Sequence, residues 1–294
     1  MKETQRGLLY GIVAYVIWGI APIFWHKIQA VPAGEILLHR AVWSAALMAG
    51  ILTLQRDWNW LSNAWATPRI RYTFFLTAAL LTVNWLTYIW AVNNGHTVES
   101  SLGYFINPLV NVLLGMVFLK ERLRRWQWLA VAFAIAGVAY LAWALGSLPW
   151  IALVLAFSFG FYGLLRKTAA LNAPHGLTFE TGLMSLPALI GLIWLAIQGQ
   201  GHFGKADLFT NGMLILSGAV TAIPLLIFAI AARRIPLTAI GLLQYLAPTM
   251  QFAIGVWIFG EPFDQQRLIG FILIWVALVI YAIEGLLHSR TKLA

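Results

Sequence analysis

Glu35, His39 and Arg40 stand together in the stretch Glu35-Ile36-Leu37-Leu38-His39-Arg40, with apolar sequence around them. Glu35 and His39 are four residues apart and share one face of a helix, an arrangement suited to relaying a proton or holding a charged group. Arg40 has the planar fork that clamps a carboxylate, although it could also snorkel to an interface or pair with Glu35. The remaining chemistry is amide and phenol. Asn84 and Tyr88 share a face, as do Tyr104, Asn107 and Asn111, which flank Pro108. Gln244, Tyr245 and Gln251 flank Pro248 in the same manner. Proline leaves a carbonyl of the preceding turn unpaired, and such backbone is tolerated at membrane depth beside protein or a water-filled cavity. Each stripe can orient a substrate; amides can equally tie one helix to another.

Catalysis finds less support. The chain has no cysteine, hence no thiol nucleophile, thiolate-bound metal or disulfide. It lacks a Gly-Lys-Ser phosphate loop and a His pair with metal-ligand spacing, and Ser158-Phe159-Gly160 comes without a base. Neither an enzyme nor a cofactor is expected. The competing readings, a membrane enzyme on a lipid-linked substrate or a passive channel, would need a clustered acid/base site or unsaturable flux.

The elements that must position these groups are membrane spans. Of 294 residues, 61% are hydrophobic and 10% charged, too apolar for the surface of a soluble fold. Windows long enough to cross the hydrocarbon fall near 8–25, 34–54, 71–92, 101–119, 127–145, 149–165, 179–197, 210–231, 237–258 and 267–287. The expected fold is therefore an all-α integral membrane protein with ten transmembrane helices, Pro149 starting the sixth. Charge inside such a span costs about 2.5–3.5 kcal/mol, so Glu35, His39 and Arg40 need a reason to be there. Glu180, at the head of the seventh span, is expected at the interface.

The net charge of +9 does not call for nucleic acid, because the basic residues lie in short clusters between apolar segments. With the N-terminus in the cytoplasm, 15 of the 19 Lys and Arg fall on that side. Lys27, Lys205 and Arg267 lie outside and Arg40 within a span, so the positive-inside rule makes both termini cytoplasmic. Trp18, Trp25, Trp43, Trp85 and Trp90 could wall an aromatic pocket, whereas Trp58, Trp60, Trp65, Trp126 and Trp128 suit interface belts.

A repeat appears at an offset of 140 residues: Tyr104, Pro108, Gly115 and Glu121 are echoed by Tyr245, Pro248, Gly255 and Glu261, the tyrosines one residue out of register. Gly19 and Lys27 find partners in Gly160 and Lys167. Repeats of five helices, an odd number, must lie upside down relative to one another, the arrangement of many secondary transporters. The units are 1–145 and 149–294. Glu121 and Glu261 suit the N-terminus of the helix that follows each.

Phe118-Leu119-Lys120-Glu121-Arg122-Leu123 leading to Ala136-Gly137-Val138, and Ile258-Phe259-Gly260-Glu261-Pro262-Phe263 leading to Trp275-Val276-Ala277, resemble the EamA family of the drug/metabolite transporter superfamily. Phe24-Trp25-His26-Lys27, the stretch from Glu35 to Arg40 with Trp43-Ser44, and Leu164-Leu165-Arg166-Lys167 resemble its RarD branch, the chloramphenicol-sensitivity proteins. Ala277 departs from the glycine kept at Gly137. The resemblance implies a bacterial inner-membrane carrier, working as an exporter, with a small molecule bound between two inverted halves. It carries no binding motif across, so the expected substrate-binding residues are Glu35, His39, Arg40, Asn84, Tyr88, Tyr104, Asn107, Asn111, Gln244, Tyr245 and Gln251, with proton coupling through the charged group.

Overall fold

The computed structural model describes residues 3–93, 97–145, 150–260 and 265–291. Among them every regular element is helical. The first six are α1 (Glu3–His26), α2 (Ala33–Leu54), α3 (Trp60–Ala66), α4 (Pro68–Asn93), α5 (Thr97–Leu119) and α6 (Arg125–Leu145). The others are α7 (Trp150–Thr168), α8 (Ala173–Ile197), α9 (Leu208–Ala232), α10 (Leu237–Gln244), α11 (Leu246–Trp257) and α12 (Gln265–Thr291). Among the described residues, seven helices are long and apolar enough to cross a membrane. Their outward faces carry large apolar side chains, such as Leu186, Ile190, Trp194 and Ile197 on α8, so a helix apolar on all sides buries one face on protein and leaves the other to lipid. The expected link 146–149, with Pro149, and Glu261 lie outside the described residues.

Helix ends follow local chemistry. Asn172 caps α8 by accepting from the His175 backbone N–H at 2.8 Å, with Pro174 in the first turn. Asp207 caps α9 by accepting from the Thr210 N–H at 3.3 Å. Past α2 and α8 the chain turns identically: Arg56 and Gly199 take positive φ, and the N–H groups of Asp57 and Gln200 donate back to Leu52 and Leu195.

Two expectations need correction. The ninth segment, 237–258, is not continuous: it breaks at Tyr245 into α10 and α11. Pro248 has no N–H for the Gln244 carbonyl and its ring crowds that turn, and the Tyr245 N–H bonds instead to the nearer Leu242 carbonyl. The loop after α2 also contains a short helix, α3, whose neighbourhood buries Ala64, Ile70 and Phe74 against Phe179 of α8.

The helices pack in a pattern with two parts. α1 lies on α9 and α11, whereas α7 lies on α4 and α5. α2 meets α8 and α9, α5 meets α10, and α6 meets α12. Closest approach depends on glycine at two crossings: a Cβ at Gly218 would stand 2.4 Å from the Trp43 backbone, and one at Gly241 2.5 Å from the Pro108 carbonyl oxygen.

Candidate functional site

Arg40 lies in α2, half-buried, with its guanidinium against two indoles: Cζ is 4.9 Å from the Trp25 ring centroid and 4.9 Å from that of Trp85. Its Nε donates to Thr221 Oγ1 of α9 at 2.9 Å. The phenols of Tyr88 and Tyr104 lie within electrostatic range of this charge. Their rings meet edge-on at 6.0 Å and both remain more than a third exposed. One cation thus lies over two indoles from α1 and α4, with two phenols from α4 and α5 within electrostatic range.

Glu35 and His39 do not join that group. Successive residues around a helix diverge by about 100°, so Arg40 points away from the face that Glu35 and His39 share. Buried Glu35 accepts from the backbone N–H groups of His202 and Phe203, at 2.7 and 3.3 Å, and faces the His202 ring at 2.8 Å. It therefore fastens the α8–α9 loop to the start of α2 and makes no ion pair with Arg40. His39 accepts from the Trp43 indole N–H at Nδ1, 3.1 Å, while its Nε2 stands 3.8 Å from Glu35. These two residues line a cleft of about 370 Å³ with Trp43, Ile193, Phe203 and Lys205.

At the opposite end of α2 the same pairing recurs with its partners exchanged. His175, in the first turn of α8, meets Asp57 of the loop after α2 at 2.6 Å and stacks on Trp60 at 4.7 Å.

The amides spend their hydrogen bonds between helices. Asn84 donates to the Leu155 carbonyl and to Ser158 Oγ, both at 2.9 Å, joining α4 to α7. Asn107 donates to the Ala156 carbonyl at 2.7 Å, and Asn111 to Asn107 Oδ1 at 3.1 Å and Gln244 Oε1 at 2.9 Å, joining α5 to α7 and α10. Gln251 donates to the Trp18 carbonyl at 3.0 Å. Tyr245, fully buried, donates to the Phe105 carbonyl at 3.1 Å, whereas its repeat partner Tyr104 faces Arg40. The Asn107, Asn111 and Gln244 network ties the proline-bearing segments together; Arg40, Tyr88 and Tyr104 keep reachable surface.

Two glutamates differ from expectation. Glu180 does not stand at a helix head: α8 begins at Ala173, two turns earlier, and Glu180 is fully buried within the protein, 3.6 Å from equally buried Arg166, with Tyr162 donating to it at 3.4 Å. Glu121 does not serve the next helix in sequence. Lys120 takes a positive φ, and the returning chain sends the Glu121 carboxylate to the first N–H groups of α10. The basic residues are also more occupied than topology signals need be. Lys167 donates to the Ala232 and Ile235 carbonyls, Arg233 to those of Ala169 and Leu171, and Arg124 pairs with Glu284 of α12.

Sequence reasoning missed Thr221, His202 and Arg166. A signal existed for Thr221, since Ser217 and Thr221 form a polar stripe in the otherwise apolar part of α9 that follows Asn211; none existed for His202, a loop residue whose partner lies 167 positions away.

The EamA-like transporter family profile matches residues 5–143. The protein called RarD from Salmonella typhi is 46% identical, with 99% of each chain covered. An uncharacterised transporter of Bacillus subtilis (strain 168), YojE, is 42% identical over 99% of this chain and 98% of its own. A solved crystal structure at 19% identity superposes with a TM-score of 0.72 over 93% of this chain and 96% of that one, and shares the fold. Full-length identity at this level makes this multi-pass membrane protein a member of the EamA-like transporter family, in its RarD branch.

Proposed function

We propose that the chain is a secondary carrier that exports a small organic molecule across the bacterial inner membrane by alternating access, its ten spans forming two inverted repeats, 1–145 and 149–294, with both termini cytoplasmic. The observation that carries this reading is the exchange of partners between the halves. α1 rests on α9 and α11 as α7 rests on α4 and α5. Glu35 meets His202 as His175 meets Asp57, each pair joining the first turns of one helix to the loop after the other. Positive φ recurs at Arg56 and Gly199, and at Lys120 and Gly260. Two equivalent halves turned end over end can expose one central site to each side in turn.

In this reading Arg40, Tyr88 and Tyr104 face the substrate, and Asn84, Asn107, Asn111, Gln244, Tyr245 and Gln251 hold the frame around it. The Glu35–His202 and Asp57–His175 pairs close the outer and inner ends, and Glu35 with His39 is the group available for proton coupling. The test is counterflow in proteoliposomes with pooled labelled metabolites. Saturable exchange of a compound against its unlabelled form supports a carrier. Flux without saturation would make the protein a channel, and no exchange from a broad panel would sink the transport reading.

A further inference from the structure

Arg40 is a membrane-embedded cation that no carboxylate answers among the described residues. Arg166 has Glu180, and Lys167 has two carbonyls. The only acceptor of Arg40 among the described residues is Thr221 Oγ1, reached through Nε. Its two terminal nitrogens have no protein acceptor and are not sealed from solvent, because neither is among the fully buried unpartnered atoms. Trp25 and Trp85 each place a ring centroid 4.9 Å from the guanidinium carbon, and Thr221 takes Nε. The edge left over is the one that binds two oxygens in a plane. Glu35, which could have cancelled the charge, is taken up by His202 and Phe203.

We infer that Arg40 binds the carboxylate of the transported molecule, and that the substrate class is organic monocarboxylates with a flat or branched apolar body. One cation balances one negative charge; a phosphate dianion would bring in more charge than the cage can answer. Trp25, Trp85, Tyr88 and Tyr104 offer ring faces and edges to the apolar body, and the phenols can donate to a carboxylate oxygen that Arg40 leaves free. A half-buried arginine without a counter-ion still costs free energy in a membrane, so occupancy by an anion stabilises the fold. The inference rests on the carrier reading for its transport meaning; binding is tested separately.

The experiment uses the full chain in lipid nanodiscs, titrated with benzoate, phenylacetate and isovalerate, with benzamide and phenylacetamide as neutral counterparts and phenylphosphonate as the dianion. Binding is read by calorimetry and by the unfolding temperature. The acids should saturate and raise the unfolding temperature; the amides should do neither. Arg40→Gln should weaken acid binding by roughly tenfold or more. Arg40→Lys should retain part of it, as a charge without the fork. Thr221→Val, which frees the guanidinium without removing its charge, should weaken binding severalfold with the fold intact and guards against misfolding of the Arg40 variants. Equal binding of acids and amides, tighter binding of phenylphosphonate, unchanged affinity in folded Arg40→Gln, or no binding of any acid overturns the assignment. Counterflow of neutral solutes alone would sink this site and leave the carrier standing; carboxylate binding without counterflow would do the reverse.

Discussion

The carboxylate of Glu121, in the first half of the chain, accepts a hydrogen bond from the backbone N–H of Leu237, in the second half, at 2.7 Å. Its other oxygen accepts from the Thr238 N–H at 3.0 Å. Two of the unpaired donors at the start of α10 are thereby satisfied, and the negative charge meets the positive end of the helix dipole. Gly115 makes room for the approach, since a Cβ there would stand 2.8 Å from Glu121 Oε2. The Gly115 and Glu121 of the repeated motif are thus one device, a cap passed across the halves. Glu121→Ala should lower stability by about 1–2 kcal/mol, and Gly115→Ala should do the same by pushing the carboxylate away. Thermal unfolding in detergent measures both. Additive losses in the double variant would show that the two residues act separately, because members of one device do not sum.

Glu35 holds the α8–α9 loop through the N–H groups of His202 and Phe203. Glu35→Ala should speed amide exchange at those two positions by roughly tenfold or more, the loss expected for hydrogen bonds to a charged acceptor. Exchange in α5 should not change. An unaltered loop would mean that Phe203, packed on His39 and Trp43, holds it without the carboxylate.

Arg166 and Glu180 are 1% and 0% exposed, and three of their polar atoms lack a hydrogen-bond partner. Removing either charge alone strands the other, so Glu180→Leu or Arg166→Met should each cost about 3–5 kcal/mol. The double variant should recover most of that loss. Chemical denaturation of the three proteins in one detergent decides it; a double variant as unstable as the sum of the singles would refute mutual compensation.

Asp207 caps α9 from outside the apolar segment, and hydrogen bonds from Thr210 hold its carboxyl below its ordinary value of 3.8. A depressed carboxylate contributes stability that is complete above the unfolded value and fades as pH falls through the folded one. The charge-dependent part of the Thr210 amide's protection should therefore be complete above about pH 4 and fade progressively at lower pH. Asp207→Asn, which keeps the acceptor without the charge, should remove the pH dependence and keep the protection.

Much of the architecture was legible in the chain because lipid imposes a simple rule: every backbone donor must be satisfied within its own helix over about 20 residues. Among the described residues the apolar windows accordingly fall on helix, the break at Tyr245 and the small α3 being unforeseen. The motif spacing Pro108-Gly115-Glu121 was visible too; its target, α10, was not. A heptad or helical face tells which way a side chain points but not what stands opposite.

The sequence by itself determined that this is a helical membrane protein of the EamA type, since composition, segment length and spaced motifs are local properties that lipid reads directly. Tertiary structure alone decided which polar groups are frame and which remain available. Asn107, Asn111 and Gln244 were indistinguishable from Arg40 and Tyr104 as intramembrane polar residues until their neighbours were known. Whether a buried polar side chain is satisfied depends on the rotation and crossing of helices far apart in sequence, more than 100 residues for Asn111 and Gln244. Such partners follow from packing, where burial of the unpaired group is what costs free energy.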